Sequence, residues 1–293
     1  MSKSQNLTVN EIVKKLSEGQ TIKYPSPTKI GILLINTGTP TGYTFWPIWK
    51  YLRQFLSDWR INEIPRIIWY PILYLIILTI RPFKKGPSYK SIWNKENDES
   101  PLRTISRNQA KQLQRRFDSK NERTIKVEWA FRYGIPSIGE KIAKLYEDGC
   151  DRLIAFPLFP HFASPTTASA CNEVFKALLL QRKQMAIHTV HAYYSNNEFI
   201  NVIVNSLEET LKFNSNIIFD VIVITYHGIP LFMEEKGDPY GKQCHQTTAL
   251  IAKEFNHRNK NNNIPLITSF QSRFGPRKWL QPYTDKIVAE FAK

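Results

Sequence analysis

Six histidines occur in this 293-residue sequence, and one of them sits where a side chain could do chemistry. His227 closes the apolar run IIFDVIVITY and is followed at once by Gly228 and then Pro230. A free imidazole titrates near pH 6.5, so it can take up or release a proton near neutrality, or ligate a metal. A second histidine, His161, lies in FPLFPHFASPTTAS among a cluster of hydroxyls that includes Ser164. FRYGIPS offers Arg132 and Tyr133, a cation and an amphipathic ring on a turn. SFQSRFGPRKWLQPYTD offers Gln271, Arg273 and Trp279. Taken singly, each reads as a helix cap or a satisfied buried polar group. Brought to one edge, they describe a pocket with aromatic walls and a few cations, suited to a large flat ligand bearing carboxylates.

The elements that would bring them there alternate. KIGILLIN, TIKVEWAF, RLIAFPLF, MAIHTVHAY, IIFDVIVITYH and IPLITSF read as strands. Between and after them, WPIWKYLRQFLSD, SIGEKIAKLYEDG, TTASACNEVFKALLLQ, EFINVIVNSLEETLK, a segment from Lys242 to Asn256 and one from Tyr283 to Phe291 have helical spacing. Strands alternating with helices predict parallel sheets covered on both faces, with ligands at the carboxyl ends of the strands. Two such units dividing near residue 165 fit the length. The ends to inspect are Asn36–Thr41, Phe131–Pro136, Pro157–Ser164, Tyr226–Pro230 and Ser269–Gly275.

Composition excludes several classes. With 42% hydrophobic and 22% charged residues the chain is neither disordered nor collagen-like. Cys150, Cys171 and Cys244 are odd in number and widely spaced, with no C-x-x-C pair, so neither a disulfide framework nor a structural zinc or iron–sulfur site is expected. A net charge of +15 favours an anionic partner, but no nucleic-acid recognition motif accompanies it and no nucleic acid is expected. TGTP is neither a dinucleotide fingerprint nor a Walker loop, and G-x-S-x-G is absent. The N-terminus lacks an apolar signal core. The apolar stretch IIWYPILYLIILTI is fourteen residues long and interrupted by Pro71, against about 20 for a spanning helix. It is expected not to cross a membrane. Either it is a buried core helix or it is a lip that dips into the bilayer face, where flanking Arg60, Arg66, Arg81, Lys84 and Lys85 would each add about 1 kcal/mol against anionic lipid.

GILLINTGTP, YLRQFLSDWRINEIPR, FRYGIPSI, FPLFPHFASPTTAS, YHGIPLFMEEKGDPYGKQCHQT and FQSRFGPRKWLQPYTD, in that order, closely resemble the ferrochelatases from about residue 28 onward. The resemblance implies an α/β type II chelatase fold of two similar Rossmann-like domains, each a parallel sheet flanked by helices, around a porphyrin cleft. It implies residues 28–165 as the first domain with a lip at about 61–87, residues 166–293 as an incomplete second domain, and residues 1–27 as an extension. It implies insertion of ferrous iron into protoporphyrin IX, with His227 as catalytic residue and metal ligand. Thr37, Arg132, Tyr133, Ser164 and Trp279 would contact the porphyrin, Arg132 through a propionate and with Gly228 letting the backbone turn beside the flat ligand. No cofactor and no iron–sulfur cluster are expected, since iron is substrate. The partners expected are porphyrin, ferrous iron and an anionic membrane surface, on the cytoplasmic side.

Departures from the family pattern accompany this. Bacterial relatives are expected to continue past residue 293 with a further strand and a carboxylate-bearing loop. The family's catalytic glutamate, its second metal ligand, therefore has no counterpart in this sequence, and activity is expected to be lower. Tyr194 and Asn196 stand where relatives often carry histidines, which puts an outer metal route in doubt. His161 reads either as a compensating metal-handling group or as a neutral packed histidine. A non-catalytic porphyrin- or haem-binding relative is the alternative function, and a chelatase for another metal in a shorter tetrapyrrole a third.

Overall fold

A computed structural model describes residues 29–120, 122, 124–259 and 264–292. The expected extension at residues 1–27 lies outside them. Four parallel strands, β1 (Lys29–Gly38), β2 (Ile125–Tyr133), β3 (Cys150–Pro157) and β4 (Ala186–Thr189), form one sheet in the order β2-β1-β3-β4. Two more, β5 (Ile222–His227) and β6 (Leu266–Gln271), pair in parallel in a second sheet.

The helices are α1 (Phe45–Leu56), α2 (Arg66–Ser91), α3 (Pro101–Ser119), α4 (Ile138–Glu147), α5 (Ser169–Leu179), α6 (Asn197–Phe213), α7 (Leu231–Glu235), α8 (Tyr240–Arg258) and α9 (Thr284–Phe291). Strand β1 shows why an unbroken apolar run was needed. Leu33 and Ile35 face one side, in a core with Ile142 of α4 and Val174 of α5, while Ile32 and Leu34 face the other, against Ala110 of α3. Each of these buried leucine, isoleucine and valine side chains stabilises the fold by about 1.5–3 kcal/mol relative to exposure. Helix α4 begins in a capping box: the Ser137 hydroxyl accepts from the Glu140 amide, and the Glu140 carboxylate accepts from the Ser137 amide.

Helix α3 has no counterpart among the expected elements. Its start was nonetheless written in the sequence, because Ser100 caps it through the Arg103 amide and Pro101 occupies its first turn. The expected strand MAIHTVHAY is paired only over Ala186–Thr189, and there it joins the first sheet beside β3. The sheets therefore divide between Thr189 and Ile222, later than residue 165, because α5 and β4 complete the first sheet as a crossover unit.

The lip also differs from expectation. Pro71 does not interrupt it: the helix runs on through a π-helical turn at Leu73–Ile77 and through Pro82 and Pro87. The result is 26 residues long and apolar enough, by length and composition, to cross a membrane. Length therefore does not bar this helix from crossing, contrary to the expectation from fourteen residues, and it is not a buried core helix either. Leu73 and Leu78 are buried against α1, whereas Ile67 is 86% exposed and Leu75 74%.

The two sheets repeat one device at their strand ends. In β2 the Phe131 amide donates to the Pro136 carbonyl (2.8 Å) ahead of α4; in β6 the Phe270 amide donates to the Pro282 carbonyl (2.8 Å) ahead of α9. That equivalence matches β1 with β5, and so Thr37-Gly38-Thr39-Pro40 with His227-Gly228-Ile229-Pro230.

Candidate active site

His227 ends β5 opposite Gln271 of β6, and its ring is exposed. Its Nδ1 lies 2.7 Å from the Gly228 carbonyl oxygen, a group that can only accept. Nδ1 therefore carries a hydrogen, and in the neutral ring Nε2 is the nitrogen that keeps its lone pair. The adjacent glycine is favoured by tight space. A Cβ at Gly228 would meet the Gln271 carbonyl at 3.1 Å and Trp279 Cε3 at 3.3 Å, while the Gly228 amide donates to that same carbonyl at 2.8 Å. Gly228 thus serves close packing, and its φ is not in the left-handed region that demands glycine. In the equivalent place after β1, Gly38 has φ +111° and its Cβ would stand 1.8 Å from the Tyr133 carbonyl oxygen. Thr37 precedes it, its amide accepted by the Asn36 side chain at 2.8 Å.

Trp279 is buried against Gly228, and its indole N–H donates to the Phe274 carbonyl at 3.0 Å. Arg273 is ion-paired with Asp285 at 2.8 Å and stacks 4.0 Å from the Tyr283 ring centre.

Arg132 and Tyr133 sit elsewhere in the network than a ligand wall requires. Arg132 Nη2 donates to Asp58 Oδ2 at 2.6 Å and its Nε to the Ser169 hydroxyl at 2.7 Å, with Glu173 at 3.6 Å. Tyr133 is 1% exposed and donates its hydroxyl to the same Asp58 oxygen at 2.7 Å. Ser169 also donates to Asp58 Oδ2, and the Arg60 amide to Oδ1. Burial works to raise the Asp58 pKa, but the hydrogen bonds from Ser169, the Arg60 amide and Tyr133, with the Arg132 charge, outweigh it and hold the group below its ordinary value. Burial, and next the Asp58 charge, push the Tyr133 phenol up, so it stays a donor. The expected propionate contact of Arg132 meets a cation already compensated within the protein.

His161 lies at the junction between the two sheets. It is buried among Tyr194, Tyr226 and Tyr240 with Nε2 2.8 Å from the Thr247 hydroxyl. That hydroxyl donates onward to the Tyr194 carbonyl, so Nε2 must be the donor to it. Burial pushes the pKa of His161 down to about 4, and the ring is neutral and packed. Nearby, the Phe162 amide donates to Gln243 and the Ser164 amide to Asp238, at 2.7 and 2.6 Å. Ser164 is a joint between the units, and its hydroxyl accepts from Arg60 at 2.9 Å.

Two features were not legible as site elements. Between α1 and α2 a cavity of about 300 Å³ is lined by Tyr51, Leu52, Phe55 and Tyr89, with Arg81 and Lys85 at its border. Phe55 meets the Tyr133 ring edge-on at 5.1 Å, which ties this cavity to the end of β2. The sequence carried Arg81 and Lys85 only as basic flanks of an apolar run. A second cavity, about 410 Å³, is lined by Leu231, Phe232, Arg277 and Lys278 and spanned by the Lys236–Glu63 ion pair (2.8 Å). Among the described residues, no cluster of three or more His, Cys, Asp or Glu side chains could hold a metal ion.

Two parallel sheets flanked by helices, with a histidine lone pair at a strand end and an aromatic cavity under an apolar helix, define an α/β protein of the type II chelatase fold. The chain belongs to the ferrochelatase family, whose sequence profile matches residues 29–293. It is similar to the ferrochelatase of Chelativorans sp. (strain BNC1), at 47% identity over 268 residues, covering 90% of this chain and 73% of that protein. It is also similar to the ferrochelatases of Mesorhizobium japonicum (45% identity, 90% and 73% covered) and Brucella ovis (42% identity, 95% and 79% covered).

Proposed function

We propose that this chain is a metal chelatase that inserts ferrous iron into protoporphyrin IX, with His227 as the proton acceptor. Family membership supports the reaction class, and the observation that carries the residue assignment is the His227 tautomer. Insertion releases both pyrrole N–H protons as Fe²⁺ enters, so the site needs a base that works near pH 7. Because Nδ1–H is committed to the Gly228 carbonyl, Nε2 is free to accept a proton or to touch the incoming metal. Iron and porphyrin are substrates in this reading. The cavity beneath α2 offers an apolar, ring-lined contact for one edge of the macrocycle, and Arg81 and Lys85 offer charge to its carboxylates. Trp279, packed on Gly228, would bound the cleft on the His227 side.

The exposed apolar face of α2 supports a working position at a membrane surface. Its underside packs on α1 while Ile67, Leu75 and Ile76 stand exposed, the arrangement of a helix lying in the interface. An apolar product would leave through that contact.

The test is anaerobic ferrous insertion into protoporphyrin by this chain beside His227→Ala. Turnover by the chain and a loss of about 10²–10⁴-fold in kcat for the variant are expected for loss of a general base. Tight porphyrin binding without turnover by either protein would instead make the chain a porphyrin-binding relative.

A further inference from the structure

The carboxylate of Asp58 occupies a position that the reaction as described does not use. It follows α1, at the root of the loop from which α2 rises. Its side chain is 7% exposed, and its two oxygens accept from four donors on three parts of the fold: Arg132 and Tyr133 of β2, Ser169 of α5 and the Arg60 amide of its own loop. The same loop continues the chain of contacts. Arg60 Nη1 donates to the Ser164 hydroxyl, and the Ser164 amide donates to Asp238, which precedes α8 in the second unit. A run of polar contacts thus joins the first sheet, the root of the lip and the second unit.

Arg132 gains a different role from this. Its Nη2 and Nε are spent on Asp58 and Ser169, Glu173 lies 3.6 Å away, and its guanidinium lies over the Tyr133 ring at 4.5 Å. An incoming carboxylate would meet a cation that already has two carboxylates beside it. We propose that Asp58 is a positioning residue for chelation: it locks Arg132, Tyr133 and the root of α2 into one rigid corner of the porphyrin cleft, so that Arg132 acts through Asp58 rather than by binding a porphyrin carboxylate. Tyr133 holds Phe55, a wall of the cavity beneath α2, in edge-on contact, so displacing this corner displaces the porphyrin seat. The proposal rests on the chelatase reading of the same cleft.

The experiment compares Asp58→Asn, Arg132→Gln and the double variant on protoporphyrin and on its dimethyl ester, which has the same ring without charged carboxylates. Porphyrin KM should rise about tenfold in each single variant with kcat within about twofold, a split that a general loss of fold would not give. The loss should be the same on acid and ester, and the double variant no worse than either single one, as for residues acting as one unit. Arg132→Gln impaired on the acid alone, with Asp58→Asn behaving as the parent, would overturn the proposal and make Arg132 a carboxylate ligand. Should Asp58→Asn fail to fold, Ser169→Ala, which removes one donor, is read by the same criteria with a smaller shift. Porphyrin affinity by fluorescence and amide exchange over residues 57–65 are measured in parallel. If the parent inserts no metal, the chelatase reading falls. Weaker porphyrin binding with faster exchange in Asp58→Asn would still uphold the positioning role, and unchanged values would sink it.

Discussion

At the scale of single residues, environment separates two histidines that the sequence offers on similar terms. His227 is exposed and its tautomer is fixed by a carbonyl; His161 is buried and has no route to a metal through its committed Nε2. The second case has a measurable consequence. Folding buries His161 neutral, with a pKa of about 4 against an ordinary 6.5, so the unfolded chain binds the proton more readily. The stability that goes with this is fully present above pH 6.5 and is lost as pH falls toward about 4, amounting to about 3 kcal/mol. Urea unfolding across that range should show the loss, and His161→Gln should flatten it. An unchanged slope in the variant would assign the pH dependence to other groups. Gly228 gives a steric prediction. In Gly228→Ala, the new Cβ presses on the Gln271 carbonyl and Trp279, neither of which can swing away freely. A cost of about 1–3 kcal/mol in stability is expected, with a fall in kcat as His227 moves, checked by melting and insertion assays on one preparation.

At the scale of elements, α2 carries the clearest disagreement between local pattern and observed structure. Pro71 lies early in the helix, and a π-helical turn begins two residues later at Leu73, so the chain continues where a break was expected. What holds the helix is its underside, Leu73 and Leu78, on Tyr51 and Leu52 of α1. What leaves it unsatisfied is the opposite face. Replacing Leu75 and Ile76, both exposed, with Glu should leave the fold intact, because neither side chain is part of the core beneath. Each Glu at this face should weaken sedimentation with anionic phospholipid vesicles by adding a like charge and removing apolar contact. Retention of full vesicle binding by the double variant would show that α2 is not the docking face.

At the scale of the whole molecule, Asp238 is prominent among the polar contacts at the junction between the sheets. One of its oxygens accepts from the Ser164 amide across the junction and the other from the Tyr240 amide at the start of α8. Burial raises its pKa, against the two amides. Asp238→Ala leaves both amides without that partner and should cost about 1–3 kcal/mol. Unfolding followed by Trp279 on one unit and Trp129 on the other would then separate into two steps if the junction couples the units. A single shifted transition would show that coupling lies elsewhere.

The alternation of apolar strands and amphipathic helices, and with it the parallel fold and the ends that carry His227, Arg132 and Trp279, was determined by the sequence alone. Periodicity and capping act over a few residues, and a strand such as GILLIN buried on both faces has no other stable use. Family motifs added the chemistry of one histidine. Tertiary structure decided which polar side chains are free. Asp58 and Arg132 are 74 positions apart, His161 and Thr247 86 apart, and nothing local to either member announces its partner. A cation looks the same in sequence whether it awaits a ligand or is already neutralised. Only the packing that brings a distant carboxylate within hydrogen-bond reach distinguishes the two, because desolvation and pairing are properties of the folded surroundings.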